Sequence, residues 1–322
     1  WLKRALESRV RPRQPRGCPP MQATPAMHPA VALRAGLLFL GSLRGCLAQS
    51  LAAGTSHVCS LEKGTRAAIC WGWDSQGQVS QAPRSERFIA VAAGAVHSCG
   101  LREANRTATC WGKGVGGQQD APADVRFASL AGGYWHTCGL RESDHTAVCW
   151  GNDAHNQSSP PAGERFSVLA ASSAQTCGLR ADGVAICWGL DPQATPPTGE
   201  RFSTISAGEY HSCGVRQGDH KGLCWGLNHY GQADVPSSVR FSYIVAGGDH
   251  SCGLRKDDNT TVCWGLNGDG QATGPPGESF RTLVAGVYFT CGLRSEDNAV
   301  VCWGKDREGQ DKIPLGHLSE EL

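Results

Sequence analysis

The sequence predicts an all-β fold, namely a seven-bladed β-propeller of short antiparallel blades with one disulfide bond in each blade. Three observations carry this prediction. A unit of about 39 residues recurs seven times, each copy contains two cysteines, and Gly, Asp, Asn and Pro separate short apolar runs of strand length. A three-stranded unit cannot bury both of its faces alone, so we expect the units to stack radially and close into a ring rather than form an open solenoid.

The repeats begin only after an N-terminal stretch of different composition. Residues 1–26 are rich in Pro and Arg and show neither helical nor strand periodicity, so we expect a leader segment without a fold. Residues 27–48 have a basic start, a short apolar run and small residues at the end, which is typical of a secretory signal peptide. The propeller is then expected to occupy residues 49–322.

The apolar run at residues 35–43 allows two other interpretations. A membrane anchor is disfavoured because a span needs about 20 apolar residues. A bacterial lipoprotein cleavage site at Gly45-Cys46 remains open, although Arg44 fits that pattern poorly. Cleavage after Ala48 would remove two cysteines and leave an even number, as expected of an oxidised secreted domain.

The most constant mark of each repeat is a Cys-Trp-Gly triplet that follows a second cysteine at nearly fixed spacing. The pairs are Cys59 and Cys70, Cys99 and Cys110, Cys138 and Cys149, Cys177 and Cys187, Cys213 and Cys224, Cys252 and Cys263, and Cys291 and Cys302.

Counting outward from the hairpin turn predicts that the two cysteines of a unit pair with each other. In the fourth unit, residues 181–183 suit a three-residue loop with Gly in the left-handed conformation, which places Arg180 opposite Val184 and Cys177 opposite Cys187. The other units have one more residue and suit a four-residue loop. Opposed residues lie about 4.5–5.5 Å apart, within reach of a disulfide bond.

Metal binding is the competing interpretation, because a His stands two residues before the first cysteine in five units. Gln175 and Phe289 replace this His in the other two units while both cysteines remain, so the cysteine pair does not depend on it. We therefore expect no metal site, and we interpret these histidines as side chains that brace a turn: His57, His97, His136, His211 and His250.

The Trp of each triplet lies on the opposite strand face from its Cys, where seven copies would pack between neighbouring blades. A Phe series at the start of the units is expected to be structural as well. Ring closure is expected to be the weak point, because the first unit has Ala48 where the others have Phe and the last unit ends without an Arg-Phe strand.

Composition and motifs narrow the function. Residues 51–322 carry 22 basic and 28 acidic residues, so this region lacks the positive surface that gives nucleic-acid affinity. No nucleophile elbow, phosphate-binding loop, zinc-protease motif or kinase signature occurs, and no catalytic residue or cofactor is predicted. Glycosylation sequons stand at Asn105 and Asn259, in predicted hairpin loops, and at Asn156, after a Cys-Trp-Gly triplet; at all three a glycan could be solvated, which favours a eukaryotic secretory route.

The motifs Ala-Gly-x-x-His-Ser-Cys-Gly-Leu and Cys-Trp-Gly-x-Asn-x-x-Gly-Gln, as in 207–215 and 263–271, resemble the repeats of the regulator of chromosome condensation superfamily over about residues 49–314. Two branches of this superfamily resemble the sequence more than the nuclear exchange factor does. These are the cysteine-paired extracellular repeats of Crinkly-type plant receptor kinases and the secreted bacterial β-lactamase-inhibitor propeller. The exchange factor works in a reducing compartment, so its activity on a small GTPase is not expected here.

The units differ most in the two residues between Ala-Gly and His, on a tight turn that repeats on one face of the disc. Large or charged residues there indicate a protein-binding face, since exposed aromatics are enriched at hot spots, although some could instead fill the interblade core. These aromatics resemble the turn residues that form the contact surface in the inhibitor branch. The candidates are Tyr134, Trp135, Glu209, Tyr210, Asp249, Tyr288 and, directly after this pair, Phe289.

Together these features predict a secreted or extracellular protein-binding propeller that is monomeric. We expect it to resemble a receptor ectodomain or a protein inhibitor and to bind an extracellular protein. If it derives from a receptor, the chain is a fragment, because no membrane span or kinase domain follows Leu322. The alternatives are a propeller enzyme acting on extracellular glycans and a structural component of a wall or matrix.

Overall fold

A computed structural model describes residues 50–190, 195–306, 309–310 and 312–313. These residues form seven three-stranded antiparallel sheets, each with the strands in chain order, which confirms the predicted propeller. The predicted leader and signal peptide lie outside the described residues. Within the described ranges, no helix is long and apolar enough to cross a membrane.

Each blade consists of an inner, a middle and an outer strand. The strands are, blade by blade, β1 (Leu51–Ala53), β2 (His57–Leu61) and β3 (Ala68–Gly72); β4 (Phe88–Ala93), β5 (His97–Arg102) and β6 (Ala108–Gly112); β7 (Phe127–Gly132), β8 (His136–Arg141) and β9 (Ala147–Gly151); β10 (Val168–Ala171), β11 (Gln175–Leu179) and β12 (Ala185–Gly189); β13 (Phe202–Ala207), β14 (His211–Arg216) and β15 (Gly222–Gly226); β16 (Phe241–Ala246), β17 (His250–Arg255) and β18 (Thr261–Gly265); β19 (Phe280–Ala285), β20 (Phe289–Arg294) and β21 (Val300–Gly304).

The hairpin between the middle and outer strands sets the register of each blade. In the fourth blade the Arg180 amide donates to the Val184 carbonyl at 2.9 Å, Gly183 has a φ of 85°, and Cys177 faces Cys187, all as predicted. The other hairpins use the longer loop and end it with a left-handed residue, for example Arg106 with a φ of 63°. The loop chemistry therefore places the two cysteines opposite each other in every blade.

All seven predicted disulfide bonds are present, one in each blade. The paired Cα atoms are 4.0–4.1 Å apart, closer than the expected spacing of opposed residues. Each bond closes a short loop and contributes about 2–3 kcal/mol in the chain-entropy account, without simple additivity. The disulfide bonds therefore stabilise blades that have only three short strands each.

The hydrophobic core lies between the blades. The cysteine and leucine face of one blade packs against the Phe and Trp face of the next, as Cys59 and Leu61 do against Phe88 and Trp111. Six Phe–Trp pairs, one in each of blades two to seven, have ring centroids 5.4–6.0 Å apart. The predicted structural role of both aromatic series is thus confirmed, and the disulfides lie within the interblade layers.

A repeating hydrogen-bond network joins the blades as well. The His57 Nε2 atom lies 2.8 Å from the Ser98 hydroxyl of the next blade, which donates to the Gln78 carbonyl, and that carbonyl also accepts from the Trp111 indole. The same His-to-hydroxyl contact spans four further seams between blades. The histidines predicted to brace a turn thus bridge neighbouring blades through Nε2.

The ring closes between the last and first blades with some of the same contacts. The Trp71 indole donates to the Gln310 carbonyl at 2.8 Å, and the Val287 amide donates to the Thr55 carbonyl at 3.3 Å. At the His position, however, this seam has Phe289, and the facing hydroxyl position holds Val58; both are buried in one apolar cluster. At the His position, the closing seam therefore has an apolar contact, whereas five other seams have a hydrogen bond there.

Candidate binding surface at the turn end of the propeller

One end of the propeller carries the seven loops that join inner to middle strands, and we call it the turn face. In each blade, an amide before a two-residue loop donates to the carbonyl of the residue at the His position, as Gly94 does to His97 at 2.9 Å. The residue after each outer strand returns to the same end, since the Lys113 amide donates to the Val96 carbonyl. The turn face thus combines these loops with the segments that follow Cys-Trp-Gly.

Glycine precedes the loop because two neighbours leave no room for a side chain. A Cβ atom on Gly94 would lie 2.3 Å from both the Gly133 carbonyl oxygen and the His97 ring. The fourth blade has Ser172 at this position, and it is also the blade in which Gln175 replaces the His ring. The local sequence therefore holds neighbouring loops against each other around the axis.

The first residue of the loop points to the central channel in five blades, and the channel narrows to a cavity of about 70 Å³ among Ala and Gly residues. Backbone hydrogen bonds link adjacent loops around this opening, for example from the Tyr134 amide to the Ser172 carbonyl and from the Glu209 amide to the Gly247 carbonyl. The loops consequently form a fixed rim rather than independent arms.

The second residue of the loop is exposed in blades three, five and seven, whereas Val96 of blade two is buried. Trp135, Tyr210 and Tyr288 occupy this position with 38%, 42% and 43% of their surfaces exposed. Asp249 holds the same position between the last two and is half-buried. The structure therefore brings Tyr210, Asp249 and Tyr288 together on consecutive blades, and it places Trp135 on the other side of the rim.

Two predicted candidates lie elsewhere. Phe289 is only 2% exposed and packs in the closing seam, so it is not part of this surface. It stands at the position of the buried histidines, and that register is the signal that could have placed it inside. Tyr134 is half-buried at the channel mouth, where burial and the nearby Glu209 carboxylate raise the pKa of its phenol.

The Glu209 carboxylate is shared by two tyrosines from different blades. A hydrogen bond from the Tyr210 hydroxyl to Glu209 raises the pKa of Tyr210 to about 12, with partial burial adding to the shift. Tyr134 reaches the same carboxylate from two blades away, across the small side chains of the fourth blade. Both phenols are consequently neutral donors at physiological pH.

The Asp249 carboxylate accepts a hydrogen bond from the Gln232 side-chain amide at 3.1 Å. Burial raises the pKa of this carboxyl, and the neighbouring His229 imidazole opposes the rise. Asp249 thus carries a partly desolvated charge between two exposed phenol rings.

The sequence reasoning missed two lysines on the turn face. The Lys113 ammonium lies 5.3 Å from the centroid of the Trp135 ring, and the Lys305 ammonium lies 5.2 Å from that of Tyr288. Lys305 also pairs with Asp269 at 3.2 Å. Both lysines directly follow a Cys-Trp-Gly triplet, so their shared position in the repeat was the available signal.

The opposite end, which we call the hairpin face, has a different character. Several of its acids are paired with arginines, as in Arg87 with Glu103 at 2.7 Å and Arg126 with Glu142 at 2.8 Å. Such exposed pairs contribute at most about 1 kcal/mol each. Asn105 and Asn259 lie exposed in hairpin loops at this end, whereas Asn156 lies exposed in the segment after β9.

A metal centre finds no support in the described part of the chain. The repeat cysteines are oxidised and offer no thiolate, and no group of three or more His, Cys, Asp or Glu side chains in the described ranges could hold a metal ion.

Comparison with known families identifies two copies of the regulator of chromosome condensation (RCC1) repeat, at residues 241–271 and 280–310. Comparison with curated proteins yields no match.

Among solved structures, the chain is similar to the CRINKLY WD40 ectodomain of the Arabidopsis thaliana receptor kinase ACR4, with 28% identity and a TM-score of 0.70 over 85% of this chain and 98% of the other. It is similar to the entire ectodomain of the Physcomitrella patens receptor kinase CR4, with 32% identity and a TM-score of 0.70 over 79% and 73% of the two chains. Human WBSCR16 shares the fold at 15% identity and a TM-score of 0.61, over 74% and 84%.

Proposed function

The chain belongs to the regulator of chromosome condensation repeat superfamily, and from this premise we propose that it is an extracellular protein-binding module whose turn face contacts the partner. Extracellular placement is supported by seven disulfide bonds, which persist in oxidising compartments, and by the similarity to receptor-kinase ectodomains. The signal-like residues 27–48 and the three exposed sequons agree with a secreted glycoprotein.

One observation carries the choice of surface. Trp135, Tyr210 and Tyr288 are exposed at a loop position that Ser56 and Ala174 fill in other blades, so the repeat does not need an aromatic there to fold. Large rigid aromatics lose little conformational entropy on contact and dominate the energetics of protein interfaces. We therefore propose these three residues as contact residues, with Tyr134, Glu209 and Asp249 supporting them.

The test is replacement of Trp135, Tyr210 and Tyr288 together by Ala in the full secreted chain. Partners are first captured from extracellular medium with the unchanged protein and identified by mass spectrometry, and the affinity of one purified partner is then measured for both proteins. Truncation of a hot-spot residue costs about 2 kcal/mol or more, so binding should weaken at least thirtyfold.

The matched control places Ala at Lys256, an exposed residue of the hairpin face, where binding should be unchanged. The free energy of unfolding of the triple variant should stay close to that of the original protein, because its side chains are not buried in a seam. Unchanged partner affinity, or a loss of several kcal/mol in unfolding, would count against the turn face.

A further inference from the structure

The turn face has an uneven distribution of charge. In the described part of the chain, the ion pairs of the hairpin face satisfy acids such as Glu86, Glu103 and Glu142 with arginines. On the turn face, neither Glu209 nor Asp249 has a Lys, Arg or His partner within ion-pair distance among the described residues. Asp249 accepts one side-chain hydrogen bond, from Gln232, whereas Glu209 accepts from two tyrosine hydroxyls, so Asp249 has more acceptor capacity left for a partner.

Two exposed aromatic rings of the turn face already contact a cation within the protein. Trp135 and Tyr288 each have a lysine ammonium over the ring at 5.2–5.3 Å. Such cation–π contacts are favourable because the face of an aromatic ring is electronegative. Tyr210 differs, since its neighbours are the carboxylates of Glu209 and Asp249, with Tyr288 on the far side of Asp249.

A neighbouring aromatic ring and carboxylate, such as Tyr210 and Asp249, together complement a cation. The ring attracts the positive charge through its face, and the carboxylate supplies a charge-assisted hydrogen bond. A guanidinium or ammonium group on a long apolar stem could lie along Tyr210 with its head at Asp249. No sequon falls on the turn-face segments of blades five to seven, so an N-linked glycan of this chain is not attached there.

We propose that the partner presents a basic side chain, lysine or arginine, that inserts between Tyr210 and Tyr288 and pairs with the Asp249 carboxylate. This inference rests on the proposed function, because it specifies what the turn face recognises. Asp249 is expected to select the charge of the inserted side chain, and the two tyrosines its shape.

The experiment uses a random 12-residue peptide library displayed on phage, selected against the full secreted chain and against two variants. Asp249→Asn removes the charge at the turn face while keeping the shape. Asp257→Asn is the matched control, because Asp257 is an exposed acid on the hairpin loop at the opposite end of the same blade.

We expect peptides selected by the unchanged protein to be enriched in Lys or Arg, and one such peptide, once synthesised, to bind Asp249→Asn about tenfold more weakly. Its affinity for Asp257→Asn should be unchanged. Binding should also weaken between 50 mM and 500 mM salt, since part of the attraction is screened. Absence of basic enrichment, or equal affinity for both Asn variants, would overturn the inference.

The two proposals fail in different ways. If Tyr210→Ala abolishes binding of the captured extracellular partner while Asp249→Asn has no effect on it, the turn face binds a partner that presents no cation, and only this inference fails. If neither substitution changes binding of that partner, the turn face is not the contact surface and the proposed function fails with it.

Discussion

The seams between blades allow a direct test of the buried histidines, because the chain contains both a hydrogen-bonded and an apolar version of the same contact. His97 lies 2.8 Å from the Thr137 hydroxyl, whereas Phe289 and Val58 hold the equivalent positions at the closing seam. The perturbation we consider is the double substitution His97→Phe with Thr137→Val. It transfers the apolar pair into a seam that normally uses a hydrogen bond.

The expected effect on pH dependence follows from burial. Burial, together with the charges of the neighbouring His57 and His136, lowers the pKa of His97 to about 3. In the unfolded chain the pKa returns to about 6.5, so between about pH 6.5 and pH 3 the unfolded state binds a proton that the folded state does not. The stability associated with neutral His97 is therefore complete above pH 6.5 and is lost as the pH falls.

The magnitude at pH 5 is set by the distance from 6.5, about 1.5 pH units, and amounts to about 2 kcal/mol per histidine. Four other histidines, His57, His136, His211 and His250, have pKa values lowered by burial to about 3–4 and behave in the same way. The charges of Asp74 and Asp153 oppose the lowering of the pKa of His57 and of His136, respectively. The double variant should therefore lose about 2 kcal/mol less than the original chain between pH 7.5 and pH 5.

The assay is urea unfolding under non-reducing conditions, followed by tryptophan fluorescence at both pH values. At pH 7.5, His97→Phe alone should cost about 1–3 kcal/mol because it removes a partner of the buried Thr137 hydroxyl, and Thr137→Val should recover much of this loss. The reciprocal variant, Phe289→His with Val58→Ser, should add about 2 kcal/mol of pH dependence. An unchanged difference between pH 7.5 and pH 5 in both double variants would refute the reasoning.

Two further predictions concern glycosylation and ring closure. Expression through a eukaryotic secretory pathway should place N-glycans on the exposed Asn105 and Asn259. On a gel, treatment with peptide-N-glycosidase should then shift the original chain, and Asn259→Gln should reduce that shift by one glycan. No shift of the original chain would contradict this prediction. Amide hydrogen exchange should be faster in β1 than in β16, because β1 has 3 residues rather than 6 and its seam lacks the His-to-hydroxyl bond, and equal protection of both strands would count against it.

Much of the fold could be predicted because its determinants are local. The loop at 181–183 fixes the register of its hairpin, and the register fixes which cysteines meet, so the disulfide pattern follows from counting along one unit. The alternation of Cys and Trp across a strand likewise assigns each to a face, and the repetition of units implies stacking. None of these steps requires knowledge of a distant part of the chain.

The candidate surface was less predictable because its contacts cross between blades. Lys113 reaches Trp135 in the next blade, and Tyr134 reaches Glu209 two blades away, which depends on the width of the channel and the rotation of each blade. The placement of Phe289 was wrong for a related reason: the residue was interpreted together with the exposed Tyr288, although strand alternation turns it into the seam.

Departures from the repeat also separate folding constraints from functional ones. Ser172 replaces Gly in the blade where Gln175 replaces His, and Val58 faces the seam in which Phe289 replaces His, so each of these changes is compensated by a contacting residue. Tyr210 has no such compensation: its loop position is filled by Ala174 one blade earlier, and its ring is 42% exposed. Folding does not require an aromatic ring there, and this supports the proposal that the exposed tyrosine beside a partly desolvated carboxylate contacts a partner.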